Sequence, residues 1–223
     1  MPLPRLYAIL DAPCLPNADA MFQAAEELVA AGCTLIQYRN KKDNAGVMLK
    51  QARELRRLFP RDESCHVSGK QPHPGHPSFE KSVRLIMNDR ADLCLAAGFD
   101  GVHVGQEDLS AEAVREIIGP DRWLGLSTHN PEQLSAADLT SADYLAIGPV
   151  FRTASKQDPD PVVGLEGVRL ARSLTRKPLV AIGGITRSNA TSVMEAGADS
   201  VAVISDLLPD ARKSAEEFFR ILR

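Results

Sequence analysis

Polar side chains gather where the second apolar segment of the chain ends, at Gln37, Arg39 and Lys41. Residues two apart along an extended segment point to the same face, so these three side chains would point together. An amide and two cations on one face suit an anionic ligand such as a diphosphate. Exposure to solvent is the competing interpretation for Lys41, whereas Gln37 and Arg39 stand within or at the end of an apolar segment.

Two carboxylates, Asp89 and Asp108, follow the next two apolar segments. If those segments are neighbouring strands, both carboxylates lie at one edge of a sheet. Carboxylate oxygens suit a hard divalent cation, and a magnesium ion that keeps waters and bridges phosphate oxygens needs only one or two of them. Helix capping is the alternative, because Asp89 could cap a helix beginning near Ala91 and Asp108 one beginning near Ser110.

Hydroxyl and cationic side chains follow the fifth and sixth apolar segments. Ser127 ends the fifth, and the sixth runs into a segment that contains Thr153, Ser155 and Lys156. Such a segment can fold over a phosphate group and exclude water from it, with exposure to solvent as the alternative for Lys156. A general-base role for His129 is the weaker interpretation, because a lone histidine at a strand end is more often a structural hydrogen-bond partner.

Glycine and serine follow the last two apolar segments. Gly184 would let backbone N–H groups approach a ligand, and Ile204 and Ser205 end the final segment. In an eight-stranded barrel, the loops after strands seven and eight often bind a terminal phosphate. We therefore predict a monophosphate site here, separate from the diphosphate site, with a simple turn at the Gly-Gly pair as the alternative.

The residues between these two anion sites suggest how a reaction would proceed. The sequence contains no cysteine or serine with an evident base, no lysine in the middle of a strand and no cofactor motif. This pattern favours group transfer in which the protein stabilises a departing group.

The elements that must position these residues follow a regular alternation of apolar segments and segments of helical period, eight of each. This alternation predicts a parallel sheet with helices packed outside it. The predicted strands are 6–10, 35–39, 85–88, 101–105, 123–127, 144–150, 179–183 and 200–205. The predicted helices include 18–31, 47–59, 111–118, 166–174, 189–196 and 211–222.

Similar segments precede the even-numbered predicted strands, at 31–37, 97–104, 140–148 and 196–204. A βαβα period of this kind is typical of an eightfold barrel, with an open doubly wound sheet as the alternative. We predict an α/β fold, a (β/α)8 TIM barrel that spans residues 1–223 as a single domain. Residues 60–82, with four prolines, two glycines and no period, are expected to form an exposed loop insertion.

The composition excludes several classes of protein. The chain has 223 residues, of which 44% are hydrophobic, and a net charge of −3, so nucleic acid is an unexpected main ligand. It contains no apolar run of about 18 residues and no secretory signal pattern, which argues against a membrane protein. Neither the spacing of the cysteines nor that of the histidines in 60–82 matches a zinc site. The cysteines are therefore expected to be reduced structural thiols, in a cytoplasmic location. The cysteines are Cys14, Cys33, Cys65 and Cys94.

The motifs at these positions resemble those of the thiamine-phosphate synthase family. They are LYAILD, IQYRNK, MNDRADLCLAAGFDGVHVGQEDL, GLSTHN, GPVFRTASK and AIGGITRSNATSVMEAGAD, and the resemblance covers essentially the whole chain except 60–82. It implies a transferase that condenses hydroxymethylpyrimidine diphosphate with hydroxyethylthiazole phosphate to give thiamine phosphate and pyrophosphate. It also implies Mg²⁺ as a cofactor and small molecules as partners, and it leaves a homo-oligomer open.

The resemblance implies a role for each matching residue. Asp89 and Asp108 would ligate Mg²⁺, and Ser127 and Lys156 would act in catalysis at the diphosphate or its bridging oxygen. The residues that would bind the pyrimidine diphosphate are Gln37, Arg39, Lys41, Asn88, Ser127 and Lys156. Those that would bind the thiazole phosphate are Thr153, Ser155, Gly184, Ile204 and Ser205.

Two positions depart from the usual pattern of the family. Ser155 stands where threonine is usual, which keeps the hydroxyl. Asp206 stands where a small neutral residue is usual, and a carboxylate that pointed inward there would repel a phosphate.

Two other functions are alternatives: a thiazole tautomerase-like isomerase on the same barrel, which needs no diphosphate or metal site, and a non-catalytic barrel that binds a phosphate ligand.

Overall fold

A closed parallel barrel forms the centre of the molecule. The computed structural model describes residues 3–61, 82–153 and 160–223. Their strands pair in the order β1 to β8, and β8 pairs with β1, for example Val201 with Leu6. The predicted (β/α)8 barrel is therefore confirmed and the open doubly wound sheet is wrong. The strands are β1 (Leu6–Asp11), β2 (Leu35–Arg39), β3 (Arg84–Asn88), β4 (Gly101–Val104), β5 (Trp123–Thr128), β6 (Tyr144–Ile147), β7 (Leu179–Ile182) and β8 (Ser200–Val203).

Helices surround the barrel and alternate with the strands. They are α1 (Ala18–Ala30), α2 (Ala45–Leu58), α3 (Ala91–Ala96), α4 (Ala111–Ile118), α5 (Pro131–Asp138), α6 (Gly164–Leu174), α7 (Ala190–Glu195) and α8 (Ala211–Ile221). The observed bounds lie within two residues of the predicted ones, except at β6, which ends three residues early. Pro149 has no N–H to donate to the ladder, which accounts for the early end. Among the helices of the described ranges, none has the length and apolarity needed to cross a bilayer.

Alternate residues of each strand build two hydrophobic layers. One layer lies between the sheet and the helices, and the other fills the barrel itself. The barrel layer consists of Tyr7, Ile9, Leu35, Ile86, Trp123, Tyr144, Ala146, Val180 and Ala202. Because these side chains fill the interior, the barrel is a packed core that holds the strand ends rigidly, and ligands can approach only at its ends.

Gly125 on β5 makes room for two large polar side chains inside the barrel. Its Cα pairs in register with His103 on one side and Tyr144 on the other. A Cβ at this position would lie 2.2 Å from Cζ of Tyr144 and 2.3 Å from Nδ1 of His103, far inside contact distance. The missing side chain therefore allows His103 and Tyr144 to meet across β5.

Two of the four cysteines lie in the helix–sheet layer. Cys33 and Cys94 are buried and free, in agreement with their expected role as structural thiols. The predicted insertion at 60–82 falls mainly outside the described residues, as do Cys65 and the histidines near it. The limits of the single domain and the exposure of that insertion therefore stay predictions.

Candidate active site

The predicted site residues that the structure describes lie toward the carboxyl ends of the strands or in the loops that follow them. Asp11 pairs in register with Arg39, and Asn88 with His103, so neighbouring strands end at the same level. Ser155 and Lys156 lie outside the described residues. The described members are Gln37, Arg39, Lys41, Asn88, Asp89, Asp108, Ser127, Thr153, Gly184, Ile204 and Ser205.

Asp89 and Asp108 form an acidic pair at this end of the barrel. Burial raises the pKa of Asp89; the positive charge of Lys41 opposes the shift, and the adjacent Asp108 carboxylate adds to it. Nζ of Lys41 lies 3.0 Å from Oδ2 of Asp89. Two carboxylates and one ammonium leave a net negative local charge, which favours the binding of a cation.

The helix-capping interpretation of the two aspartates is wrong. Arg90 is the N-cap residue of α3, and no side chain caps that helix. Ser110 caps α4 by accepting a hydrogen bond from the N–H of Ala113. Asp89 instead has a positive φ of 61°, and Asp108 accepts a hydrogen bond from the N–H of Gly105 at 2.7 Å. The backbone therefore presents both carboxylates to the mouth of the barrel.

Arg39 is held by an aspartate on the neighbouring strand. Its Nη1 lies 2.5 Å from Oδ1 of Asp11, whose side chain is buried. An ion pair between a buried carboxylate and a half-buried guanidinium fixes the orientation of the cation at the mouth. Asp11 is thus a site residue that the sequence did not reveal. Its position was a signal, because Asp11 is the last residue of β1 and Asp89 is the first residue after β3.

Gln37 and Ser127 are joined to side chains inside the barrel. Nε2 of Gln37 donates to Oη of Tyr7 at 2.9 Å, and Oγ of Ser127 lies 2.8 Å from Nε2 of His103. Burial lowers the pKa of His103 to about 4, partly opposed by the negative charge of Asp108. The imidazole is therefore neutral at physiological pH.

The loops after β6 and β7 run side by side. Phe151 donates its N–H to the carbonyl of Gly183 at 2.9 Å, and Val150 makes the equivalent bond to Ile182. Gly184 has a φ of 63°, and a Cβ there would lie 2.5 Å from the carbonyl oxygen of Arg152. A side chain at Gly184 would push the two loops apart, so this glycine does more than make a turn.

The carboxylate of Asp206 is paired with Arg187. Its Oδ2 accepts hydrogen bonds from the backbone N–H of Arg187 at 2.8 Å and from Nε at 3.0 Å, and Oδ1 accepts one from Nη2. Arg187 also pairs with Glu217 on α8. The carboxylate is therefore neutralised, and it links the loops that follow β7 and β8.

His129 makes a hydrogen bond to the segment that follows β6. Its Nδ1 lies 2.6 Å from the carbonyl oxygen of Gly148. A carbonyl oxygen only accepts, so Nδ1 must carry the proton and donate it. This contact makes His129 a hydrogen-bond partner of the segment that follows β6, and Oδ2 of Asp160 lies 3.5 Å from the same nitrogen.

Comparison with known proteins identifies the family. The model of the family described as thiamine monophosphate synthase matches residues 78–207. A thiamine-phosphate synthase of Koribacter versatilis is 55% identical over 99% of this chain and 96% of its own length. One of Chloroflexus aurantiacus is 39% identical over 90% of this chain and 83% of its own. The chain belongs to this family.

A solved member of the family has the same fold. The thiamine phosphate pyrophosphorylase of Pyrococcus furiosus is 32% identical, with a TM-score of 0.79 over 98% of this chain and 95% of its own. Membership of the thiamine monophosphate synthase family makes this chain a transferase of thiamine biosynthesis, as the resemblance of its motifs implied.

Three residues inside the barrel also escaped the sequence analysis. Tyr7, His103 and Tyr144 stand in apolar strands, where tyrosine and histidine look like ordinary core residues. Only the register of the strands shows that their polar atoms meet.

Proposed function

We propose that this chain condenses hydroxymethylpyrimidine diphosphate with hydroxyethylthiazole phosphate, giving thiamine phosphate and pyrophosphate. Family membership supports this reaction. The structural observation that carries the proposal is the convergence of Asp89, Asp108 and Lys41 at one end of the barrel. Acidic and basic groups side by side suit a diphosphate that is bound together with a metal ion.

The pyrimidine diphosphate would lie between the ends of β2, β3 and β5. Gln37 and Asn88 would hold the pyrimidine end, and Arg39 and Lys41 the diphosphate. The ion pair of Arg39 with Asp11 is made through Nη1, so the other guanidinium nitrogens can address the diphosphate. Ser127 and Lys156 would contact the diphosphate or its bridging oxygen, with Lys156 proposed from the sequence alone.

The acidic pair fits a magnesium ion. Asp89 is destabilised in its charged form by burial and by the neighbouring Asp108, and a divalent cation would relieve both effects. No three His, Cys, Asp or Glu side chains in the described part of the chain form a complete protein cage, so waters and diphosphate oxygens would supply the remaining ligands. Bound there, Mg²⁺ would supply positive charge to the departing pyrophosphate.

The thiazole phosphate would bind at the loops after β6, β7 and β8. Thr153, Gly184 and Ser205 lie in these loops, and Ser205 is exposed to solvent. Backbone N–H groups near Gly184 and the hydroxyls would bind the phosphate, with Ile204 beside the ring. Ser155, outside the described residues, completes the proposed set.

The reaction needs charge stabilisation more than acid–base chemistry. As the C–O bond to the diphosphate breaks, the electron-rich aminopyrimidine stabilises the methylene cation, and the thiazole nitrogen then attacks it with its lone pair. Arg39, Lys41 and the Ser127 hydroxyl stabilise the charge that grows on the leaving diphosphate. A nitrogen lone pair needs no base to attack, so the proposed reaction assigns no general-base role to His129.

Pyrophosphate release from the purified chain tests the proposal. With both substrates and Mg²⁺, we expect stoichiometric release of pyrophosphate and formation of thiamine phosphate. The Asp108→Asn variant should lose this activity. Asp92→Asn is the matched control, because Asp92 pairs with Arg90 on the outer helix α3 and should leave turnover unchanged.

The two alternative functions predict different results in the same assay. A tautomerase-like isomerase would interconvert thiazole phosphates without consuming the pyrimidine diphosphate. A non-catalytic barrel would bind the thiazole phosphate and convert neither substrate. Either result, from protein with a normal thermal transition, would refute the proposed condensation.

A further inference from the structure

A continuous chain of side-chain hydrogen bonds crosses the interior of the barrel. Gln37 Nε2 donates to Tyr7 Oη at 2.9 Å, and Tyr7 Oη lies 3.0 Å from Tyr144 Oη. Tyr144 Oη lies 3.1 Å from His103 Nδ1, and His103 Nε2 lies 2.8 Å from Ser127 Oγ. These hydrogen bonds thus connect Gln37 on β2 with Ser127 on β5, both of which are proposed to bind the pyrimidine diphosphate.

The three linking residues are shielded from water. Tyr7 and Tyr144 are each 1% exposed and His103 is 9% exposed. Buried polar atoms in such a place must find partners within the protein, so each hydroxyl and ring nitrogen constrains the next. The edge-on contact of the two tyrosine rings, with centroids 6.1 Å apart, adds to this constraint.

One assignment of the protons gives every buried donor in this series an acceptor. Gln37 donates an amide N–H, so the single proton of Tyr7 is free to be donated to Tyr144. The proton of Tyr144 then goes to Nδ1 of His103. A neutral imidazole that accepts at Nδ1 carries its proton on Nε2 and donates it to Oγ of Ser127. In this assignment the proton of Ser127 is left for a ligand.

Gly125 leaves the space in which His103 and Tyr144 form their hydrogen bond. It separates His103 and Tyr144 in register, and any side chain there would collide with both at their hydrogen-bonding atoms. The strand thus lacks a side chain at the position where the chain of hydrogen bonds crosses it.

We propose that Tyr7 and Tyr144 are positioning residues that act through His103 to hold Ser127 as a hydrogen-bond donor to the leaving diphosphate. Tyr7 also accepts the hydrogen bond from the amide of Gln37. This inference rests on the proposed function, because it takes Ser127 to contact the diphosphate. A serine that must donate, rather than accept, stabilises an oxygen on which negative charge grows.

The position of the proton on the His103 ring can be measured without substrate. It shows in which direction the hydrogen bonds between Gln37 and Ser127 are donated. Long-range ¹H–¹⁵N correlation spectra of the full-length protein, with the His103 signal assigned from a His103→Asn variant, distinguish the two tautomers. We expect the proton on Nε2. A proton on Nδ1 would make Ser127 the donor to His103, leave it only as an acceptor toward the ligand, and overturn the proposal.

Turnover of Tyr144→Phe tests the consequence for the reaction. This variant keeps the ring and removes the oxygen that joins Tyr7 to His103. We expect kcat to fall about tenfold, with KM for both substrates within about twofold of wild type, because the lost orientation matters at the transition state. Unchanged kcat with a lowered melting temperature would show a purely structural role and overturn the proposal.

Tyr38→Phe is the matched control. Tyr38 is also a buried tyrosine, but its hydroxyl faces α2 and donates to Gln51 at 2.6 Å. We expect a similar loss of melting temperature and a kcat within about twofold of wild type. A loss of kcat equal to that of Tyr144→Phe would mean that any buried hydroxyl matters, which would also overturn the proposal.

A variant that does not fold and a wild-type protein without activity each lead to a further test. If Tyr144→Phe does not fold, Tyr7→Phe removes the preceding link and should lower kcat while leaving the Tyr144–His103 bond in place; unchanged kcat would count against the proposal. If the wild-type protein releases no pyrophosphate, the proposed condensation fails. The tautomer of His103 still shows in which direction the hydrogen bonds between Gln37 and Ser127 are donated.

Discussion

The ammonium of Lys41 lies 3.0 Å from the carboxylate of Asp89, so groups that follow β2 and β3 meet at the mouth of the barrel. Asp108, which follows β4, adds a second carboxylate beside Asp89. Three successive strands thus bring both signs of charge to one place, as a diphosphate with its cation requires.

The Asp89→Asn variant should lose activity and keep its stability. Asparagine tolerates the positive φ of this position, so the backbone should not move. Removing the charge should lower kcat by about 100-fold or more, as expected for a group that supports electrostatic stabilisation. Pyrophosphate release and thermal melting measure the two effects. A drop in melting temperature large enough to explain the lost activity would instead indicate a structural role.

Lys156→Ala tests a residue proposed from its motif. If Lys156 contacts the departing diphosphate, kcat should fall by about 100-fold with little change in melting temperature. Lys50→Ala, on the exposed face of α2, serves as the control and should retain full activity. Equal activity of the two variants would remove Lys156 from the proposed site.

Asp206→Ala should weaken binding of the thiazole phosphate. The Asp206–Arg187 contacts link the loops after β7 and β8, and without them the proposed phosphate site would be less well ordered. We expect KM for the thiazole phosphate to rise about tenfold and KM for the pyrimidine diphosphate to stay unchanged. Glu217→Gln, which changes only the second partner of Arg187, is the control. A lower KM for the thiazole phosphate would mean that the carboxylate repels it after all.

Gly125→Ala should destabilise the barrel. The added Cβ would overlap Tyr144 and His103, and overpacking of a core typically costs about 1–3 kcal/mol. Urea unfolding should show this loss in the free energy of unfolding. Gly46→Ala in α2, where the nearest atom to a Cβ is 3.3 Å away, should change stability by less than about 1 kcal/mol. Equal stability of the two variants would contradict the packing around Gly125.

Alkaline pH should destabilise the protein through its buried thiols. Burial raises the pKa of Cys33 and of Cys94 from 9.0 to about 11. Between these values the unfolded chain loses a proton that the folded chain keeps, so stability present below pH 9 is lost as the pH rises. Each thiol contributes a slope of up to about 1.4 kcal/mol per pH unit.

Urea unfolding of the reduced protein between pH 8 and pH 11 measures this slope. The Cys33→Ala variant removes one of the two thiols, so its stability should fall less steeply over that interval. A wild-type curve parallel to that of the variant would show that Cys33 does not titrate differently in the two states.

The barrel was predictable because hydrophobic periodicity is a local property. Eight short apolar segments, separated by helical ones, leave few ways to bury a parallel sheet. The same rule placed Asp89, Asp108 and Ser127 at strand ends, since side chains at the carboxyl ends of parallel strands share one edge. The early end of β6 was missed because an apolar residue beyond Pro149 continues the pattern, although the proline, which has no N–H, interrupts the regular ladder.

The sequence by itself determined the fold class, the family and the end of the barrel at which its polar residues gather, because these depend on periodicity and short motifs. Only the tertiary structure decided which of those residues touch. The Asp11–Arg39 pair, the Arg187–Asp206 link and the hydrogen bonds from Gln37 to Ser127 join residues that are 19 or more positions apart. Such contacts depend on strand register and on the space left at Gly125, which arise only when the barrel closes.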